Sequence, residues 1–193
     1  SDGSANLAIS QLVYDSPYAK ANPGAPHKGE ALLLQNLIAA PVKLQGLSIE
    51  APLSSQTYTP ASTLTVPANG RFALLYGDES NSTEKSNILA ALGFSAADLA
   101  DTSLVIVWQQ SFALDKSGET LRLSYQKTSG DPVQLVDELH YGNALSGADS
   151  LLALLADTEN PLPANGDNIS GFSLNNAPDM LYLASSNVVT TRR

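Results

Sequence analysis

The chain has 193 residues, with 10 Lys+Arg against 19 Asp+Glu for a formal net charge of −9, and it contains no Cys. One domain is the expectation at this length, and 43% hydrophobic with only 15% charged residues fits a folded chain rather than a disordered one. Without Cys there is no disulfide framework, thiolate nucleophile or Cys-ligated zinc site, and a pI of about 4.4 argues against phosphate backbones and anionic membranes.

Residues 1–6, Ser1-Asp2-Gly3-Ser4-Ala5-Asn6, read as a flexible N-terminus with neither a basic nor an apolar signal region. A bacterial lipoprotein is cleaved just before a lipidated Cys, and a chain lacking that Cys would begin much as this one does. The Ser/Asp/Gly run also resembles surface-export signals of Bacteroidota lipoproteins, so a lipid anchor on a Cys preceding Ser1 is one expectation. No run of ~18 apolar residues exists to span a bilayer.

Short apolar runs between Pro/Gly/Asn-rich turns predict strands at 7–14, 30–37, 42–50, 63–66, 71–76, 104–109, 120–126 and 132–141. Leu121, Leu123 and Tyr125 share one face of their run. Leu44, Leu47 and Ile49 share a face only if the strand slips near Gly46, where a bulge is expected. Ser129-Gly130-Asp131 reads as a hairpin turn. One section, at about 81–103, breaks the pattern. Asn81 three residues before Glu84, and Ser95 before Asp98, are helix-start signals, and Gly93 is a stop. Two short helices are therefore predicted between the strands at 71–76 and 104–109. A third helix is expected at 147–156, apolar after Ser150. The fold class is all-β: an antiparallel β-sandwich with a short helical insert and a C-terminal extension.

Four parts of the chain carry a family resemblance. Ile9-Ser10-Gln11-Leu12-Val13-Tyr14-Asp15 is an opening strand. Gly29-Glu30-Ala31-Leu32-Leu33-Leu34-Gln35-Asn36, followed by Val42-Lys43-Leu44-Gln45-Gly46-Leu47-Ser48-Ile49, is a strand ending on Asn and then a Leu-x-Gly step. Leu64-Thr65-Val66-Pro67-Ala68-Asn69-Gly70-Arg71-Phe72 follows, and the strand pair at 112–123 and 136–142 closes the pattern. In this order they resemble the lamin-tail domain, an immunoglobulin-like sandwich of nuclear lamins and many secreted bacterial proteins. The likeness covers about 7–142, interrupted by the insert, and leaves 143–193 as an extension expected to pack on the sandwich. It departs where the usual acidic residue is replaced near Leu33, and where Leu47 stands for the aromatic after Gly46. It implies a mostly non-catalytic module that binds partners or tethers a neighbour, and it carries over no ligand site.

Candidate chemistry is thin. His27 lies in a Pro/Gly loop and His140 at a strand end. Alternation puts Asp137 on the face opposite Glu138 and His140, so a hydrolase built on these three is the weakest reading. Glu30, Glu50, Asp78, Glu79, Asp137 and Glu138 supply carboxylates for glycosidase work, but aromatics make up only 6%, and Trp108 is assigned to the core. Asp157, Asn165 and Asp167, with Asp78 and Glu79, are candidate calcium ligands, against the plainer role of turns that cap their own backbone. Asn81-Ser82-Thr83 and Asn168-Ile169-Ser170 fit the N-glycan pattern, a short match common by chance. No phosphate loop and no basic patch for nucleic acid is present.

Apolar material outside the strands is the remaining signal: Leu151, Leu152 and Leu155 in one run, and Met180, Leu181 and Tyr182 in another. They either complete the core or form a docking face. The leading expectation is a non-catalytic binding or accessory module on a bacterial surface, secreted or an outer-membrane lipoprotein, with no cofactor and a protein partner such as a larger outer-membrane protein. The alternative is an adhesin or a carbohydrate- or calcium-binding domain.

Overall fold

The computed structural model describes residues 6–116 and 118–142, with side chains through residue 139. The expected helix at 147–156, and the candidates Asp157, Asn165, Asp167, Leu151, Leu152, Leu155, Met180, Leu181 and Tyr182, lie outside the described residues.

Among the described residues, ten strands and three short helices run in the order β1 Leu7–Val13, α1 Pro17–Ala21, β2 Ala31–Asn36, β3 Val42–Lys43, β4 Leu47–Ala51, β5 Gln56–Tyr58, β6 Thr65–Val66, β7 Arg71–Tyr76, α2 Ser82–Ala91, α3 Ala96–Ala100, β8 Leu104–Gln109, β9 Gly118–Tyr125 and β10 Gln134–Gly142. They form an all-β fold of two four-stranded sheets, β1-β2-β7-β8 and β10-β9-β4-β5, with a two-stranded β3-β6 ribbon. Among the described residues no helix is long and apolar enough to cross a membrane.

Alternation decides what each strand buries. Leu7, Ile9, Leu32, Leu34, Phe72 and Leu74 of the first sheet join Leu47, Ile49, Leu121, Leu123 and Leu139 of the second in one cluster. The other face of the first sheet buries Val13, Ala31, Leu33, Ala73 and Leu75 against Ile88, Leu92 and Phe94 of the helical insert. The first sheet is thus apolar on both faces, which explains the unbroken run Ala31-Leu32-Leu33-Leu34.

Both predicted helix starts are built as their sequences require. Asn81 Oδ1 accepts the Glu84 N–H at 3.0 Å, and Ser95 and Asp98 form a reciprocal capping box. The helices turn the chain around, so that β8 pairs with β7 in parallel, Arg71↔Leu104 through Tyr76↔Gln109. The expectation of a purely antiparallel arrangement is corrected at this one pair, because a helical crossover returns the chain to the same end of the sheet.

The predicted strand at 42–50 is two strands in two sheets. Gly46 sits at φ +84, and a Cβ there would meet Gln126 O at 2.4 Å, so a tight turn rather than a bulge separates β3 from β4. The 129–131 hairpin turn is present, joining antiparallel β9 and β10. Helix α1 and strand β5 were not legible as elements. The first is one turn begun by Ser16, whose Oγ accepts from Tyr18 and Ala19 N–H groups.

Candidate functional site

Titratable groups converge where β1 ends, β2 begins, and β7 and β8 end. Past β1, Asp15 holds Lys20 Nζ at 3.3 Å and Lys116 Nζ at 3.0 Å on its two oxygens. The loop before β2 is pinned by Lys28 to Glu84 at 2.7 Å and by the Gly29 N–H to Tyr76 O at 2.9 Å. Gly29 has φ +84, and a Cβ there would lie 2.3 Å from Ser16 Oγ, so only glycine lets the loop pass α1 this closely.

This loop places Glu30 inside. The residue is 2% exposed, and its Oε1 lies 2.7 Å from His27 Nδ1 while Oε2 accepts the Leu114 N–H at 2.7 Å. Burial pushes the Glu30 carboxyl from 4.5 up to about 8, opposed by the Leu114 N–H and Lys116 and helped by Asp15. Burial and the Lys116 charge hold His27 below its ordinary 6.5. Both shifts favour the uncharged form of each partner across this short contact. The His27 ring also tilts over Tyr76, with centroids 5.8 Å apart.

A buried carboxyl with a displaced pKa beside a histidine is a standard candidate for acid–base work. Its surroundings limit that chemistry. The crevice between Glu30, Leu74, Gln109, Phe112 and Leu114 is about 10 Å³, room for one water at most. Both Glu30 oxygens are occupied, by a ring nitrogen and a backbone N–H. The arrangement ties the 110–116 loop to β2.

The other carboxylates are placed apart. Asp137 is buried and accepts the Ile9 N–H at 2.8 Å, joining β10 to β1. Glu138 lies on the opposite face, paired with Arg122. Alternation along β10 therefore separates Asp137 from Glu138, as the sequence pattern required, and the Asp137 carboxylate faces inward. Glu50 accepts weakly from Ser48 and Ser124 at 3.3 Å each. Asp78 accepts the Ser80 N–H and hydroxyl, which hold its carboxyl below the usual range, and Glu79 is exposed beside it. Among the described residues no three His, Asp or Glu side chains gather closely enough to hold a metal. Trp108 is half-buried against the insert side of the first sheet rather than in the main core, its ring close over Gly77.

One buried polar residue was not singled out by sequence, and a second was visible only as the end of a strand. Glu119 is fully buried and accepts the Leu53 and Ser54 N–H groups at 3.1 and 2.9 Å and the Ser54 hydroxyl, fixing the β4–β5 turn. Asn36, which ends β2, donates to Ala40 O at 2.8 Å and Pro67 O at 2.7 Å and accepts the Ile38 N–H at 3.1 Å. No sequence signal separated Glu119 from a surface glutamate in a polar alternation, whereas the strand-final Asn was visible as part of a pattern.

A groove of about 270 Å³ lies on the second sheet, lined by Gly46, Ser48, Glu50, Thr59, Gln126 and Val133. Val133 and Leu135, on the approach to β10 and within it, are 61% and 57% exposed. No family model matches the chain, and no curated protein matches its sequence.

Proposed function

We propose that the chain is a non-catalytic binding or accessory module of a bacterial cell surface, built on an immunoglobulin-like sandwich of lamin-tail type. The segments that carry the likeness fall on β1, β2, β3–β4, β6–β7 and β9–β10, and the two sheets share one core. The observation that carries the functional reading is the use made of buried acids. Glu30, Glu119 and Asp137 each accept backbone N–H groups that hold loops and strands together, and Asp98 accepts the Ser95 N–H at the start of α3. An acid occupied in this way is part of the scaffold, so function falls to surfaces, and a larger outer-membrane protein is the partner this reading names.

The test is purification of the tagged protein from its own envelope in mild detergent, followed by reconstitution with whatever accompanies it. A defined complex with a large outer-membrane protein, reformed from purified parts, supports the reading. Recovery of the protein alone overturns it. A calcium-dependent rise in melting temperature, lost in Asp167→Ala, would instead favour the adhesin or calcium-binding alternative. Hydrolysis lost in Asp137→Ala would revive the enzyme.

A further inference from the structure

The chain has one Asp-Pro bond, Asp131–Pro132, and it lies in the turn between β9 and β10. The Asp131 N–H donates to Thr128 O at 3.0 Å, closing a four-residue turn in which Gly130 takes φ +100. Thr128 in return donates its N–H at 3.0 Å and its hydroxyl at 2.6 Å to Asp131 Oδ2. The second carboxylate oxygen, Oδ1, has no donor among the described residues. Across the turn, Gln126 Nε2 donates to the Asp131 carbonyl oxygen at 2.7 Å. Among the described residues Gly130, Asp131 and Pro132 are exposed, and Gln126 and Val133, on either side of the bond, line the groove on the second sheet. Water therefore reaches the bond.

These contacts act on both reacting groups of one peptide bond. Attack by Oδ1 on the Asp131 carbonyl carbon closes a five-membered ring, so the nucleophile is held at a high effective concentration by its own side chain. The leaving nitrogen belongs to Pro132, bears no hydrogen in the peptide and departs as a secondary amine. Negative charge develops on the Asp131 carbonyl oxygen, where the Gln126 amide already donates. The turn itself is closed by the Thr128–Asp131 backbone bond, so the Gln126 contact is an addition to it.

We propose that Asp131–Pro132 is a self-cleavage site, opened by the Asp131 side chain with Gln126 as the oxyanion donor. The Oδ1–carbon bond forms, the carbon–nitrogen bond breaks, the Pro132 nitrogen takes a proton from aqueous acid, and residue 131 is left as a cyclic anhydride. Water then opens the anhydride, restoring the side-chain carboxylate and giving Asp131 a terminal one. The net change is hydrolysis of one peptide bond, with water and acid as the only co-reactants. The register Gln134↔Tyr125 through Gly142↔Gly118 holds the two pieces together, so the product is a nicked fold in which a free Pro132 amine leads into β10. This single-turnover chemistry is independent of the surface-module reading.

Mass spectrometry of the full chain held at about pH 5, near the carboxyl range, reads the reaction. The expected products are residues 1–131 and 132–193, formed at a rate independent of protein concentration. That rate is expected to be roughly tenfold or more above the rate of the same chain unfolded in urea at the same pH. Asp131→Asn and Pro132→Ala are expected to stop it. Gln126→Ala is expected to remove about tenfold of the folded chain's rate while leaving the rate in urea unchanged, a split that a purely structural glutamine would not give. Absence of the two fragments overturns the proposal. Equal rates in the folded and unfolded chain overturn it as well, because the cut is then the ordinary acid lability of an Asp-Pro bond. Cleavage that scales with protein concentration, or that a protease inhibitor stops, assigns the cut to another molecule and overturns it too.

Discussion

Asp137 on β10 accepts the backbone N–H of Ile9 on β1 at 2.8 Å, with 128 positions of sequence between them. The bond lies where the edges of the two sheets meet, and both partners are buried. Asp137→Ala leaves a buried N–H without its acceptor and is expected to cost about 1–3 kcal/mol in urea unfolding. Asp137→Asn keeps an acceptor and should lose less. Equal losses for the two would show that the carboxylate's charge, rather than its hydrogen bond, matters.

The Glu30–His27 pair makes stability depend on pH. A carboxyl raised from 4.5 to about 8 contributes stability that is full below 4.5 and is lost as pH climbs through about 8. His27, lowered from 6.5, works the other way: its contribution is full above 6.5 and fades as pH falls through the lowered value. Glu30→Gln should flatten the alkaline decline across the 4.5 to 8 window, measured as denaturant midpoints in a buffer series. A decline of unchanged slope in that variant would mean another group titrates there.

Asn36 satisfies three loop groups with one side chain. Removing it in Asn36→Ala orphans buried partners and is expected to destabilise by ~3 kcal/mol. Asn36→Asp retains the Ile38 contact but turns donors into acceptors facing Ala40 O and Pro67 O, and should be at least as damaging. Thermal melts of the two variants order these effects.

Backbone conformation predicts a contrast at two positions. Gly46→Ala must hold an L residue at φ +84 with its Cβ 2.4 Å from Gln126 O, and is expected to cost about 2 kcal/mol. Ser55 already sits at φ 54, so Ser55→Gly should be neutral or mildly stabilising. Urea midpoints of both variants check the pair, and a harmless Gly46→Ala would mean the β3–β4 turn can relax.

Sequence reading worked where a signal was local. The strands at 71–76 and 104–109 matched their runs because apolar content and punctuation bracket them, and the caps at Asn81 and Ser95 declared their helices within four residues. The parallel turn of β8 was hidden because a run of apolar residues buried on both faces reads the same in either direction. The 42–50 run concealed a break because one glycine can mark a bulge or a turn. The site was hardest to see. His27 and Glu30 stand three apart and were visible as residues, but Leu114, 84 positions from Glu30, supplies the contact that completes the site.

The order of strands along the chain has a consequence for synthesis. Among the described residues, all four strands of the first sheet have been made once β8 ends at Gln109, whereas the second waits for β9 and β10 at 118–142. At roughly 5–20 residues per second, a nascent chain carries the apolar face of Leu7, Ile9, Leu32, Leu34, Phe72 and Leu74 uncovered for a few seconds. During that interval half a protein is an aggregation hazard. Folding from the amino terminus therefore calls for a chaperone at the ribosome or, in an exported chain, for transport before collapse.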